Sequence, residues 1–233
     1  MTAQEIIADV QADGRSALTE AESKALFTEI GIAVPEYGLA GSTDEATAEA
    51  ERIGYPVVAK VSSPEVQHKT EWGGGIGVNV GLASEEEVRT AADRIFDAAS
   101  DLGIEVDVLV EEMVDTESGT ELIVGGLRDR SFGPAILVGL GGVFTEIFAD
   151  TSHRLAPLSA DEAHQAIAEL RAVELLEGYR GAPPADIDAL ANTVQSIGTL
   201  VAEHDAIAEV DVNPLLAKES GVTALDALVT LSE

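Results

Sequence analysis

"PVVAKVSSPEVQHKTEWGGGIGV", running from Pro56 to Val78, is the stretch from which the architecture is read. A proline opens the apolar run "VVAKVS", which reads as a strand with Lys60 near its end. A loop follows in which His68 stands beside Lys69. Gly73, Gly74 and Gly75 come next, and "GIGVNVGL" then alternates apolar and polar residues as a second strand does. Glycines at this density mean turns or close backbone approach. Neither this run nor "GLGGVFTE" (Gly139–Glu146) is a phosphate loop of the G-x-x-x-x-G-K-[ST] type, and no G-x-G-x-x-G follows a first strand. The chain holds four histidines and four lysines, so a loop that places one of each side by side asks for a reason.

Working outward, "SALTEAESKALFTEI" carries apolar residues at helical spacing, with Gly31 as its stop. "VPEYGLAG" is a short strand, and "STDEATAEAERIG" is a helix capped by Ser42 or Thr43 and ended by Gly54. "SEEEVRTAADRIFDAASDLG" is a helix with carboxylates in its first turn, where they suit the dipole. From residue 106 four strands are expected in succession: "VDVLVEEMV", "TELIVGGLRD", "GPAILVGLGG" and "EIFADTSHRLAPL". Helices then cover about 159–177 and 184–204, and two strands, "AIAEVDVNPLLA" and "GVTALDALVTL", close the chain. The expected division is an N-terminal extension (1–15), a smaller α/β lobe (16–105) and a larger α+β lobe (106–233). Two such lobes imply a cleft, where ligands commonly bind.

Composition narrows the function classes. Asp and Glu total 43 against 13 Lys and Arg, a formal net charge of −30. Such a surface repels nucleic acid and anionic lipid, which excludes both as partners. Hydrophobic content of 45% and clear periodicity argue against disorder. Without cysteine there is neither a disulfide nor a thiolate zinc site. The acidic N-terminal stretch has no apolar signal segment, and no apolar run reaches the roughly 18 residues of a membrane span. The reading is of a halophilic cytoplasmic protein, with an acidic mesophilic one as the plain alternative.

Some residues stand out by type and position. Lys60 at a strand end can reach a phosphate as a point charge, although a lone strand-end lysine also fits an ordinary snorkelling side chain. Asn213 and Asp226 end the two last strands, and adjacent antiparallel strands would set their oxygens side by side for a magnesium ion. Asn213-Pro214 alone reads equally as a turn. Asp226 lies in an apolar strand, where a buried carboxylate is costly unless paired or metal-bound. His68 is in a polar loop, while His153, His164 and His204 are assigned to structure or solvent.

Taken in order, "PVVAKVSSPEVQHKTEWGGGIGV", "VLVEEMV", "GTELIVGGLRDRSFGPAILVGLGGVFTEIFAD", "RLAPL", "LLEGYRGAPPAD" and "AEVDVNPLL" resemble the ATP-grasp β subunits of ADP-forming acetyl-CoA (acyl-CoA) synthetases, relatives of succinyl-CoA synthetase. The likeness spans about residues 15 to 230. It implies an α/β (α+β) ATP-grasp fold of two lobes with ATP or ADP in the cleft between them. Lys60 would touch the phosphates, the strand around Glu111, Met113 and Val114 would line the adenine, and Glu121 would contact ribose or phosphate. Asn213 and Asp226 would hold Mg2+. His68 falls on the position where this family carries a phosphorylated histidine, with Asp211 and Glu146 near enough to orient it. Trp72 departs from the pattern, standing where a small or acidic residue is expected.

The resemblance also implies the reaction acyl-CoA + ADP + phosphate ⇌ carboxylic acid + ATP + CoA. This chain would supply its nucleotide half, and a CoA-binding α subunit the other, in a heterooligomer such as α2β2. The His68 loop would carry the phosphoryl group, with the glycine run as part of its hinge. A neutral imidazole is a competent nucleophile near pH 7. Two rivals are a non-catalytic ATP-grasp module that regulates a larger assembly and a standalone ligase releasing a free acyl phosphate. The joint presence of His68, Asn213 and Asp226 favours the enzyme over the first, and the second would leave His68 without a task.

Overall fold

The computed structural model describes residues 1–66, 69–142 and 149–232. The chain divides into two compact units: Pro35–Val114 forms one, and Met1–Val34 with Asp115–Glu233 forms the other.

The smaller unit is a four-stranded antiparallel sheet with two helices. Its strands are β1 (Tyr37–Ala40), β2 (Val57–Ser62), β3 (Val78–Leu82) and β4 (Asp107–Glu112), in the order β1-β4-β2-β3. Counting the two helices of the N-terminal segment as α1 (Ala3–Ala12) and α2 (Glu20–Glu29), the helices of this unit are α3 (Thr43–Ile53) and α4 (Glu85–Leu102). Ser42 and Ser84 cap these helices by accepting from the backbone N–H of Glu45 and Glu87. Gly54 and Gly103 end them at positive φ. Val57, Ala59 and Val61 alternate along β2 and, with Val108 and Val110 of β4, meet Ala46, Ala50, Val88, Ala92 and Ile95. The opposite face of the same strands carries Lys60 and Glu111.

The larger unit holds β5 (Thr120–Asp129), β6 (Gly133–Leu140), β7 (Thr151–Leu155), α5 (Ala160–Ala168), α6 (Ile187–Glu203), β8 (Ile207–Ala217), β9 (Val222–Ala224) and β10 (Leu228–Leu231). Its antiparallel sheet has the order β10-β8-β5-β6-β7, with β9 also on β8. Leu122, Val124, Ile136, Val138, Val210 and Val212 pack with Leu190, Val194, Ile197 and Val201 of α6 in one core. Gly126 permits this closeness, because a Cβ there would meet Val201 Cγ2 at 2.7 Å.

Several expectations change. The helix expected over about 159–177 is α5 alone, which ends at Ala168, with a separate 3-10 turn at Val173–Leu175. Residues 1–15 are not an appendage: α1 starts from a capping box of Thr2 and Glu5, and its Ile6, Ile7 and Val10 are buried in the larger core. The smaller unit is Pro35–Val114 rather than 16–105: residues 16–34, with α2, go with the larger unit, and the boundary expected at 105/106 lies between Val114 and Asp115. The reason is β4, which is buried on both faces through Val108 and Val110 on one side and Leu109 and Glu111 on the other. A strand so covered belongs inside a sheet, here between β1 and β2. Finally, "GVTALDALVTL" is two strands, β9 and β10, with Asp226 in the bend between them and Asn213 inside β8 rather than at its end.

Two of the four lysines stand in ion pairs away from bulk solvent, one fully buried and one half-buried. Lys24 Nζ lies 2.8 Å from Glu20 Oε1 on the first turns of α2, with side-chain exposures of 0% and 2%. Lys60 is the other. Among the described residues no helix is long and apolar enough to cross a membrane.

Candidate functional site

In the smaller unit the antiparallel register sets Lys60 opposite Leu109 and Val58 opposite Glu111. Lys60 and Glu111 are therefore diagonal neighbours on one face. Their Nζ and Oε1 atoms lie 2.7 Å apart, with 11% and 5% of the side chains exposed. Two residues assigned to the nucleotide from sequence are thus brought into contact. A buried pair of this kind fixes the direction of the ammonium, and deleting one partner would leave a buried charge uncompensated, which costs several kcal/mol, about 3–5. Met113 and Val114 follow β4 directly. Met113 is exposed, Val114 is half-buried, and Met113 N–H donates to Pro56 O at 3.3 Å.

The loop after β2 is closed by backbone contacts. Val61 N–H donates to Gly77 O at 2.8 Å. A Cβ on Gly77 would stand 2.1 Å from the Lys69 carbonyl oxygen, so only glycine lets the two ends of the loop approach so closely. Gly73, Gly74 and Gly75 have φ of 58°, 77° and 95°, forming a left-handed turn that L side chains resist. Trp72, the departure from the family pattern, is half-buried against the core of this unit. His68 itself lies outside the described residues, as does Glu146.

In the larger unit the oxygen-bearing residues are gathered by one strand. β10 pairs with β8 from Asp211 back to Ile207, and β9 pairs with it from Leu215 to Ala217. The two short strands thus share one edge of β8, and the bend that joins them, with Asp226, runs past Asn213. Leu225 N–H donates to Pro214 O at 3.0 Å and holds that bend to β8. Asp226 Oδ1 accepts from Ala227 N–H at 2.9 Å. Asn213 is exposed, while Asp211 and Asp226 are half-buried. Burial pushes the Asp211 carboxyl above the usual carboxylate range, and the negative charges of Glu209 and Asp226 push the same way. Like charges facing each other across a strand edge suit a site that receives a cation. Among the described residues no three His, Asp or Glu side chains gather to hold a metal by themselves. A cation here would depend on the Asn213 amide oxygen and on oxygens brought by a ligand, which matches the habit of magnesium.

Glu121 lies on β5 opposite Leu216 and is exposed. It lines a cavity of about 370 Å³ together with Thr120, Gly141, Gly142, Leu175 and Tyr179. The last of these was not singled out from sequence, and the backbone around it carries a signal that a residue pattern cannot show: Arg180, next in the chain, has a φ of 54°. The other histidines sit as expected. His153 is on β7, His204 ends α6, and His164 on α5 bonds Ala160 O and Asp188 Oδ1, each at 2.8 Å.

The chain matches the ATP-grasp domain family over residues 9–231. It is 39% identical, over 98% of its length and 97% of the other, to the β subunit of acetate–CoA ligase (ADP-forming) I of Pyrococcus furiosus. It is 41% identical over 99% of its length to acetate–CoA ligase (ADP-forming) I of Archaeoglobus fulgidus, of which it spans 33%. A structure of acetyl-coenzyme A synthetase 1 from Ca. Korarchaeum cryptofilum, in complex with coenzyme A and Ca-AMPCP, has a TM-score of 0.92 at 40% identity, covering 99% of this chain and 100% of that one. Another structure of that synthetase holds Mg-AMPPCP, with a phosphohistidine segment pointing towards the nucleotide binding site.

Proposed function

The chain belongs to the ATP-grasp family and, within it, to the β subunits of ADP-forming acetate–CoA ligases, and from that premise we propose that it is the nucleotide-binding subunit of an enzyme catalysing acyl-CoA + ADP + phosphate ⇌ carboxylate + ATP + CoA. The observation that carries the proposal is the match to separate β subunits from end to end. The same match disfavours a non-catalytic module. Acetate is the default acid. The partner is a CoA-binding α subunit. The single-chain Archaeoglobus relative supports this, because it continues well beyond the portion that this chain matches.

The chemistry divides between the subunits. On the α subunit phosphate attacks the thioester carbonyl, the C–S bond breaks and CoA leaves acyl phosphate behind. The His68 imidazole then attacks phosphorus. An N–P bond forms as the P–O bond to the acyl group breaks, and the carboxylate departs. Asp211 and Glu146 orient the imidazole. A terminal oxygen of ADP takes the phosphoryl group in line, the N–P bond breaks, and ATP leaves a neutral histidine. Lys60, its direction held by Glu111, neutralises phosphate charge, and Glu111, Met113, Val114 and Glu121 hold the nucleoside. Magnesium bound by Asn213 and Asp226 would supply further counter-charge. A loose phosphoryl transition state needs mainly such positioning and charge.

Co-purifying this chain with its partner and assaying ATP formation from a panel of acyl-CoA thioesters tests the reading. Acetyl-CoA should support phosphate- and ADP-dependent ATP synthesis. A complex that forms no ATP, or forms AMP and pyrophosphate in the reverse direction, would overturn it.

The charge adds a second expectation, that of a protein adapted to high salt. Screening lengths are about 3 Å in molar salt and about 10 Å at 0.1 M. With −30 net charge, dilution should set the carboxylates against one another over distances that span several side chains. Melting temperature and activity should both fall as KCl is lowered from molar to about 0.1 M. Equal values at the two concentrations would mean that the surface needs no salt.

A further inference from the structure

We propose that Arg180 binds a phosphoryl group at the rim of the cavity beside Glu121, and that this group arrives on an organic carrier rather than as free phosphate. The inference deepens the relay described above and rests on it.

Three observations lead here. The first is strain. Arg180 has φ 54° and ψ 31°, and it shares a positive φ with just one other non-glycine among the described residues, Ala149. An L side chain resists this conformation, whereas glycine adopts it freely. Gly178 and Gly181 take up positive φ on either side, at 100° and 87°. The backbone would accept glycine at 180 as well, so the side chain is what the position retains. Strained residues of this kind gather where a site holds them.

The second is the state of the guanidinium. Arg15, Arg52, Arg89, Arg128 and Arg154 all pair with carboxylates, as a chain with 43 acidic residues makes easy. Arg180, like Arg94, Arg130 and Arg171, has no carboxylate partner among the described residues, and what sets it apart from those three is its aromatic neighbour. Its Cζ lies 5.2 Å from the centre of the Tyr179 ring, a contact that leaves the planar fork of donors open to an anion.

The third is the cavity. Tyr179 and Ala182 form part of its wall, and Arg180, exposed to solvent, lies between them in the chain without lining the cavity itself. The cavity volume of about 370 Å³ falls in the range of small-ligand sites, roughly 300–1,000 Å³. The lining is mixed: Leu140 and Leu175 are apolar, and Glu121 is acidic. A free phosphate would meet the Glu121 carboxylate and the field of the whole protein. A phosphoryl group on an organic carrier brings apolar surface for the leucines and leaves its charge at the rim. Two carriers share this chemistry, a small acyl phosphate and a phosphorylated side chain of the partner subunit.

The test uses Arg180→Gly, Arg180→Gln and Arg180→Lys in the full chain. Arg180→Gly relieves the backbone while removing the cation. It should melt at or above the parent temperature yet lose at least tenfold in the rate at which labelled phosphoryl reaches this chain from its donor. Arg180→Gln should lose as much, and Arg180→Lys, which keeps charge without the fork, should fall between. Labelled acetyl phosphate given to the chain alone, and acetyl-CoA with labelled phosphate given to the complex, separate the carriers. Loss in both assays assigns the small acyl phosphate, and loss in the complex alone assigns the partner's side chain. Labelling from ATP reports on the relay independently. If the parent labels from ATP and all three variants match it within twofold in both donor assays, Arg180 does not bind the phosphoryl group. If Arg180→Gly and Arg180→Gln lose transfer only together with a lower melting temperature, the residue is structural and the inference fails. A parent that takes no label from any donor sinks the relay and this inference with it.

Discussion

Replacing His68 by asparagine should reduce ATP synthesis by the complex at least about a thousandfold, in the range lost when an enzyme's nucleophile is removed. Asparagine is close to histidine in size and keeps its polarity, but its amide forms no stable N–P bond. The variant should bind ADP with little change, because the residues assigned to the nucleotide, Lys60, Glu111 and Glu121, are untouched. The partner's half-reaction, acyl phosphate from acyl-CoA and phosphate, should survive, since its chemistry does not involve this loop. His153→Asn is the matched control. That residue is exposed on β7, and its variant should keep most of the activity. Label transferred from ATP should appear on the parent as acid-labile, base-stable phosphate and be missing from His68→Asn. Label on the variant, or ATP formed at more than a few per cent of the parent rate, would place the relay elsewhere. Lys69 and the glycine amides would then make the loop a phosphate-binding lid rather than a carrier.

Much of the fold was legible where a short-range rule applies. Ser42 starts a helix and Gly54 ends it, as capping chemistry requires. What escaped depended on distant partners. The acidic residues of 1–15 hid the apolar set Ile6, Ile7 and Val10, whose burial is decided by the core they join. Alternation alone also made "GVTALDALVTL" one strand. Pro214 has no N–H to offer a ladder, and on that edge of β8 pairing stops after Asp211 and resumes at Leu215. The chain opposite must bend there, and Asp226 is in the bend. The site follows the same division. Residue type marked Lys60, Asn213 and Asp226 for phosphate and metal. The ion pair of Lys60 with Glu111 needed the register of β2 against β4, and the strain at Arg180 needed coordinates, because left-handed backbone is written in sequence by glycine.

The bend gives the metal assignment a test in which function and stability move apart. Asn213→Ala and Asp226→Asn each remove a hard oxygen ligand or its charge. Loss of groups that merely support metal ligands costs about 10–100-fold in affinity or activity, so loss of a ligand should cost about a hundredfold or more in magnesium-dependent ADP binding and in turnover. Asp226→Ala would be ambiguous, since it also deletes the acceptor for Ala227 N–H. Asparagine keeps an oxygen in that place and removes only the charge. In the absence of metal that charge opposes Asp211 on the neighbouring strand. Asp226→Asn should therefore melt at the parent temperature or above it without magnesium, and gain less than the parent when magnesium and ADP are added together, because ligand stabilisation follows the binding constant. Asn213→Ala, on an exposed side chain, should leave the metal-free melting temperature unchanged and lose the same increment. Titrating magnesium against ADP binding while following the melting temperature checks both. If each variant keeps the parent's magnesium dependence, the ligands lie elsewhere. If Asp226→Asn instead melts well below the parent without metal, the carboxylate is a structural partner in the bend, and its repulsion with Asp211 is outweighed by bonds that hold β9 and β10 to β8.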